Sequence, residues 1–280
     1  MPTKYDLVTA RHGGRLLHGL LHRKPDHQGL VLHVHGTWGN FYGDPFVPWF
    51  AEVYDAAGLS FASVNFPGHD ETAIDEKAQD SADAFPIWLD VLRRGQEPLV
   101  LQGHSLGAIK IAYLASARGL PPGTVGLVLL APFDSVAFNS RSTGGDLTSL
   151  HSSLRTLIGS GQTLVPKNVF AYWPVSPQTL IELTTPGGPW DQFPTRNGEA
   201  GSALKSLQVP TLAIFGTEDF AVTPDPQAVV DIASSVPSVV GALVDRAPHS
   251  FAGQEPALMK IIAEWINARV SHAGSGQARR

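Results

Sequence analysis

Ser105 stands in the run Gly103-His104-Ser105-Leu106-Gly107, directly after the apolar stretch PLVLQ and directly before LGAIKIAYLASAR. A serine between two glycines, on a sharp turn from a strand into a helix, presents its hydroxyl at the top of the turn, and the glycines let strand and helix approach closely. Such a serine is a nucleophile in waiting, and the N–H of Leu106, at a helix N-terminus, is a ready donor to a developing oxyanion. A five-residue match also arises by chance; the strand before and the helix after single this one out. A serine hydroxyl is weak at neutral pH and needs a base in hydrogen-bond reach, and that base needs an orienting acid.

Three further turns supply the missing groups. His249, in DRAPHSF, follows the run VVGALV and is the candidate base. Asp219, in Gly216-Thr217-Glu218-Asp219, closes the run TLAIF and is the preferred acid; Glu218 next to it and Asp134, in APFD, are the competitors. The turn His35-Gly36-Thr37-Trp38-Gly39-Asn40, after LVLHV, offers a second oxyanion donor, Thr37 first and Trp38 next. Each signal alone is weak, and a lone histidine in a loop is more often a surface residue. Together they stand in the order Ser…Asp…His, each after its own strand, which is one of the orders in which this chemistry is found.

The elements that must hold these residues are legible as alternating patterns. Residues 5–10 and 15–22 flank Gly13-Gly14 as a hairpin. Short β-rich runs recur at residues 30–35, 60–66, 98–102, 124–130, 211–215 and 239–244, with helical periodicity at 48–57, 81–94, 106–118 and 256–270. Near-continuous apolar strands alternating with helices predict an α/β fold, a doubly wound and mostly parallel sheet covered on both faces. Residues 135–200 break the rhythm with a polar, Gly- and Pro-rich stretch. A segment that long between two sheet strands is rarely plain loop, so it is expected as an inserted, mostly helical cap, leaving 1–134 and 201–280 as the core.

The pieces HGTWGN, FPGHD, GHSLG, FGTEDF and APHSF together resemble the α/β-hydrolase superfamily, over about residues 16 to 270. The resemblance implies Ser105 as nucleophile, His249 as general base and then acid, and Asp219 as its orienting acid. It implies no chemistry for His69 and Asp70, since FPGHD is a structural loop in that pattern. Serine where a haloalkane dehalogenase would carry aspartate argues against that activity. Hydrolysis of a carboxylic ester or thioester leads; acyl transfer or an acyl-eliminating lyase on the same residues is the alternative, and a non-catalytic binding protein fits poorly with all three groups present.

Composition narrows the partners. The 280 residues carry 20 basic and 25 acidic side chains, a net charge of −5, so nothing suggests nucleic acid. The absence of cysteine removes disulfides and thiolate metal sites, and fits a cytoplasmic protein. No early apolar run suggests a signal peptide, no stretch suggests a membrane span, and the polar tail SHAGSGQARR is expected to fray. The chemistry calls for no cofactor and no metal; apart from His33 and His35 no tight histidine–carboxylate cluster is evident. The expected partner is a small molecule with an apolar or aromatic group, met by Trp38, Phe41, Tyr172, Trp173 and Phe220, with Tyr42, Phe133, Phe170 and Phe251 as further aromatic candidates. Arg141, Arg155 and Arg196 are scattered and do not read as an anion clamp.

Overall fold

The computed structural model describes residues 4–42, 46–69, 74–170, 172–222 and 225–269. Gly43, Asp44 and Pro45 of the first glycine-rich loop, Asp70, Val270 and the tail lie outside the described residues. Eight strands form one sheet: β1 (Asp6–His12), β2 (Arg15–His22), β3 (Gly29–Val34), β4 (Leu59–Val64), β5 (Leu99–His104), β6 (Thr124–Leu130), β7 (Thr211–Gly216) and β8 (Val239–Val244). Their spatial order is β1-β2-β4-β3-β5-β6-β7-β8. The hairpin strands are antiparallel, β2 joins β4 antiparallel, and the rest are parallel. The sheet is therefore mostly parallel and doubly wound, as the alternating pattern predicts.

Period-two alternation sorts the strand residues between two cores. Leu30, Leu32, Val34, Leu101 and Leu129 face one side, where helices α2 (Ala78–Leu92), α3 (Leu106–Arg118) and α8 (Pro226–Ser234) bury Trp88, Ile111 and Val229 against them. Val31, Phe61, Val100, Val128 and Ile214 face the other, where α1 (Val47–Ala56) and α9 (Glu255–Arg269) supply Phe50, Tyr54, Ile262 and Trp265. Strands buried on both faces read as continuous apolar runs, which is why β3, β5 and β6 stand out so plainly in the sequence.

Between β6 and β7 the chain builds α4 (Ser135–Ser142), α5 (Leu147–Gly159), α6 (Pro177–Thr184), a 3₁₀ turn (Thr195–Asn197) and the short α7 (Ser202–Lys205). Asp134, Asp146 and Ser176 cap α4, α5 and α6, each accepting from a backbone N–H three residues on. This segment has its own apolar cluster of Leu150, Leu154, Val165, Phe170, Val175 and Leu180. A parallel bridge between Ile74 and Val175 ties it to the stretch before α2. No helix among the described residues is long and apolar enough to cross a membrane.

Two ionic clusters brace the frame. Lys110 on α3 and Glu76, just before α2, are both fully buried with Nζ and Oε2 2.5 Å apart. Burial pushes the Glu76 carboxyl upward, and the Lys110 charge opposes it. The Glu76 carbonyl accepts from Thr179 Oγ1 of α6 at 3.1 Å, so the same stretch of chain ties α3 to α6. At the opposite sheet end, the end where the parallel strands begin, Asp55 accepts from His22, His27 and Lys24 at 3.0, 3.0 and 2.5 Å.

Removing one partner of the buried pair leaves a charge with no counterpart. Lys110→Met is expected to cost about 3–5 kcal/mol in urea unfolding, and Lys110→Met combined with Glu76→Leu to recover most of that loss. Full stability in Lys110→Met alone would show the pair contributes nothing. Asp55 makes a pH-dependent contribution. Burial works against its charge, but hydrogen bonds and charges from Lys24 and His22 outweigh it and hold its pKa at about 2, below the usual carboxylate value. A depressed carboxylate stabilises fully above its unfolded pKa, about 4, and loses that contribution as pH falls toward 2. Asp55→Asn should therefore melt below the parent at pH 7, with a deficit that narrows between pH 4 and pH 2.

Candidate active site

Ser105 occupies the junction of β5 and α3 with φ 55° and ψ −121°, the left-handed side of the backbone map where a non-glycine residue is strained. The strain is sustained by how tightly its neighbours pack. A Cβ on Gly107 would lie 2.0 Å from the Val34 carbonyl oxygen, and one on Gly103 would lie 2.4 Å from the carbonyl carbon and oxygen of Gly107. Gly36 is pressed against the same turn, its notional Cβ 2.9 Å from the Ser105 Cβ. The loop after β3, the end of β5 and the first turn of α3 thus meet with no room for side chains.

The structure brings Ser105, His249 and Asp219 together. His249 Nε2 lies 2.8 Å from Ser105 Oγ, and its Nδ1 lies 2.8 and 2.9 Å from the two Asp219 oxygens. Asp219 and Ser105 are buried, and the Asp219 Oδ1 also accepts from the Ala221 N–H at 2.8 Å, which fixes the carboxylate. An Nδ1–H held by a carboxylate leaves the Nε2 lone pair facing the serine hydroxyl, the tautomer a general base requires. The His249 carbonyl accepts from His104 Nε2 at 2.9 Å, so a side chain of the serine's own turn holds the histidine loop. Gly216 makes room for that loop: a Cβ there would lie 2.1 Å from the Ala247 carbonyl oxygen.

The competing acids lie elsewhere. Both Asp134 oxygens are engaged, Oδ1 by the Ala137 N–H and the Arg196 guanidinium, Oδ2 by the Arg196 N–H. Glu218 is exposed. Arg196, read as a scattered cation, is pinned between Asp191 and Asp134, and its hydrogen bonds to Asp191 raise its pKa against the effect of burial.

Thr37, Trp38, Gly39, Ser105 and His249 line a cavity of about 250 Å³. Among the described residues, neither the Thr37 nor the Leu106 N–H donates to a protein acceptor. The loop that carries Thr37 is set by His35, which sequence patterning left as an ordinary strand histidine. His35 is buried, its Nδ1 donates to the Gly36 carbonyl at 2.9 Å, and its Nε2 accepts from the Phe66 N–H at 3.2 Å. Burial first, then the Lys110 charge, holds its pKa well below the ordinary value, so the ring is neutral and can both donate and accept.

The aromatic candidates divide. Phe220 lies over His249, ring centroids 5.1 Å apart, and Phe133 meets the same ring edge-on at 6.1 Å. Trp38 borders the cavity; Tyr172 and Trp173 line a neighbouring one in the segment between β6 and β7. Phe41 lies outside both linings and stacks on His18 at 6.4 Å. Phe251 is buried in the core under α1 and α9.

One histidine–carboxylate cluster escaped sequence reasoning, because its carboxylate lies 28 residues beyond the second histidine: His22, His27 and Asp55, at the sheet end opposite Ser105. Their ligand-capable atoms converge, but His27 Nδ1 accepts from the Lys24 N–H at 3.3 Å, so its Nε2 carries the proton that Asp55 accepts. Lys24 takes the other Asp55 oxygen. The cluster is satisfied as a hydrogen-bonded brace.

A family model described as the alpha/beta hydrolase family matches residues 31–259. The chain belongs to that family. Solved structures agree on the fold. Est1E from Butyrivibrio proteoclasticus, with ferulic acid bound, aligns at a TM-score of 0.65 and 14% identity, over 94% of this chain and 99% of that one. The thioesterase domain from the curacin biosynthetic pathway aligns at 0.60 and 19% identity, over 92% and 99%. The siderophore hydrolase EstB from Aspergillus fumigatus aligns at 0.64 and 13% identity, over 96% and 98%. No curated protein sequence matches significantly. For this α/β hydrolase, the close approach at the serine turn is a strict requirement. Gly107→Ala is expected to lower the melting temperature sharply and cut soluble yield, whereas Gly159→Ala, with open space around it, should fold normally. Equal stability of the two variants would show that the helix α3 can shift away from β3 at little cost.

Proposed function

We propose that this chain is a serine hydrolase cleaving a carboxylic ester or thioester of a small molecule that bears an apolar or aromatic group. The observation that carries the reading is the unbroken hydrogen-bond line from Ser105 Oγ through His249 to Asp219. Ser105 Oγ attacks the substrate carbonyl carbon as His249 Nε2 takes its proton. Asp219 holds the imidazole and stabilises the imidazolium without accepting the proton. The carbonyl oxygen, now negative, accepts from the Leu106 and Thr37 N–H groups; one such donor is worth about 2.7–4 kcal/mol in other enzymes. Collapse of the tetrahedral species breaks the bond to the leaving oxygen or sulfur, which departs with the proton from His249. Water then attacks the acyl-enzyme carbonyl, His249 takes a water proton, and the acid leaves as the proton returns to Ser105.

In this reading residues 135–200 act as a cap beside the reacting centre. The support is placement: the segment leaves the C-terminal end of β6, the sheet edge where ligands bind in parallel α/β sheets, and its Phe138 packs at 5.8 Å on Phe220, the ring beside His249.

A fluorophosphonate should add once to the protein, on the peptide containing Ser105, and Ser105→Ala should take no label. That variant should fold as the parent and lose at least about 10³-fold in kcat on p-nitrophenyl esters. Full turnover by Ser105→Ala would overturn the covalent mechanism.

A further inference from the structure

Two cavities meet at Trp38. The first is the 250 Å³ space at Ser105 and His249; the second, of about 340 Å³, is lined by Leu164, Phe170, Tyr172 and Trp173. Trp38 lines both. Its backbone sits at φ 60°, a conformation glycine adopts freely and a bulky residue does not. The residue is 48% exposed, so burial does not compensate the strain. A large aromatic held in a strained turn, half in solvent, between a nucleophile and a second cavity is not explained by packing.

The second cavity suits a flat apolar group. Trp173 lies nearly parallel to Phe138, 10° between planes at 6.4 Å; Phe138 meets Phe220, and Phe220 lies beside His249. Aromatic faces therefore run from the histidine to the slot. Tyr172 is 55% exposed although it stands among other rings. A slot with stacking faces and Lys167 at its wall has the make-up of a small-molecule site: mostly apolar walls with few polar groups.

We infer that this slot is a second subsite for the substrate of Ser105, and that Trp38 is its specificity-determining wall. The substrate has two parts, an ester or thioester carbonyl at Ser105 and, a short linker away, an aryl group seated past Trp38. The inference rests on the serine-hydrolase reading above and adds the shape of the molecule that it acts on.

Two pairs of esters test it, one for each side of the scissile bond. p-Nitrophenyl acetate against p-nitrophenyl 3-phenylpropanoate varies the acyl half; methyl acetate against 3-phenylpropyl acetate varies the alcohol half. In at least one pair the phenyl-bearing member should have the higher kcat/KM, by about tenfold or more. Trp38→Gly suits the backbone conformation and keeps the N–H, so it should fold; Leu164→Trp fills the slot from the far side. Both should drive that ratio toward one. Ratios near one for both pairs in the parent, or a preference that survives both variants, would overturn the subsite while leaving Ser105 catalysis standing. No turnover of any ester, together with no fluorophosphonate label on Ser105, would instead remove the hydrolase reading on which the subsite depends.

Discussion

The arrangement hangs on backbone crowding at one point. Three pieces of chain, the exit of β3, the exit of β5 and the first turn of α3, are pressed together where Gly36, Gly103 and Gly107 supply no side chains. That contact holds Ser105 in its strained conformation and brings the Thr37 loop alongside. Distances in the line to Asp219 are consequences of this contact, because the histidine loop is moored to the same turn through His104. The glycine closing β7 repeats the device on the acid side, letting the Ala247 loop approach.

What was legible in the sequence follows from this. Motifs made of backbone constraints announce themselves: a turn that tolerates only glycine at two positions must be written with glycine, and strands buried on both faces must be written as apolar runs. Ser105, Asp219 and His249 each stand at the end of such a run, so chain order alone grouped them, and the structure sets them within hydrogen-bond reach. Side-chain partnerships across the fold carry no such mark. His35 looked like a strand histidine, and its grip on the Gly36 carbonyl depends on Phe66, which only the tertiary fold brings near. Glu76 and Lys110 are separated by a whole helix and a strand, and a buried lysine in an Ala-rich helix reads as a surface one. His22 at the end of β2 and His27 before β3 likewise meet Asp55 of α1 only in the folded chain. Helix α8 went unread because its short, Pro-led stretch has too few turns for periodicity to show. Phe41 was misleading for a related reason: an aromatic in the right loop says nothing about which way its side chain turns.

The interior polar groups share a location. Lys110, Glu76 and His35 lie beneath the reacting centre, and the Lys110 ammonium sits 5.6 Å from the ring centre of Phe66, the residue whose backbone N–H donates to His35. Burial, and after it the enclosed cation, keeps His35 neutral. Such groups are costly to bury and have few alternative arrangements, so they hold the floor of the site rigid while the aromatic side above it is built from exposed rings.

The segment between β6 and β7 is tied back on itself near its start. Asp134, four residues after β6, binds both the backbone and the guanidinium of Arg196, and Arg196 also grips Asp191. The segment is thus drawn together by an ion-paired collar, and what lies between Asp134 and Arg196 is a closed loop that also meets the stretch before α2 at Ile74 and Glu76. Doubling the length of such a loop adds only about 0.6 kcal/mol of closure entropy. Evolution can therefore lengthen, shorten or exchange the contents of the loop while the collar and the chemistry below it stay in place. The α/β-hydrolase sheet in this form is a socket, and the residues above Asp134 and Arg196 are the replaceable fitting.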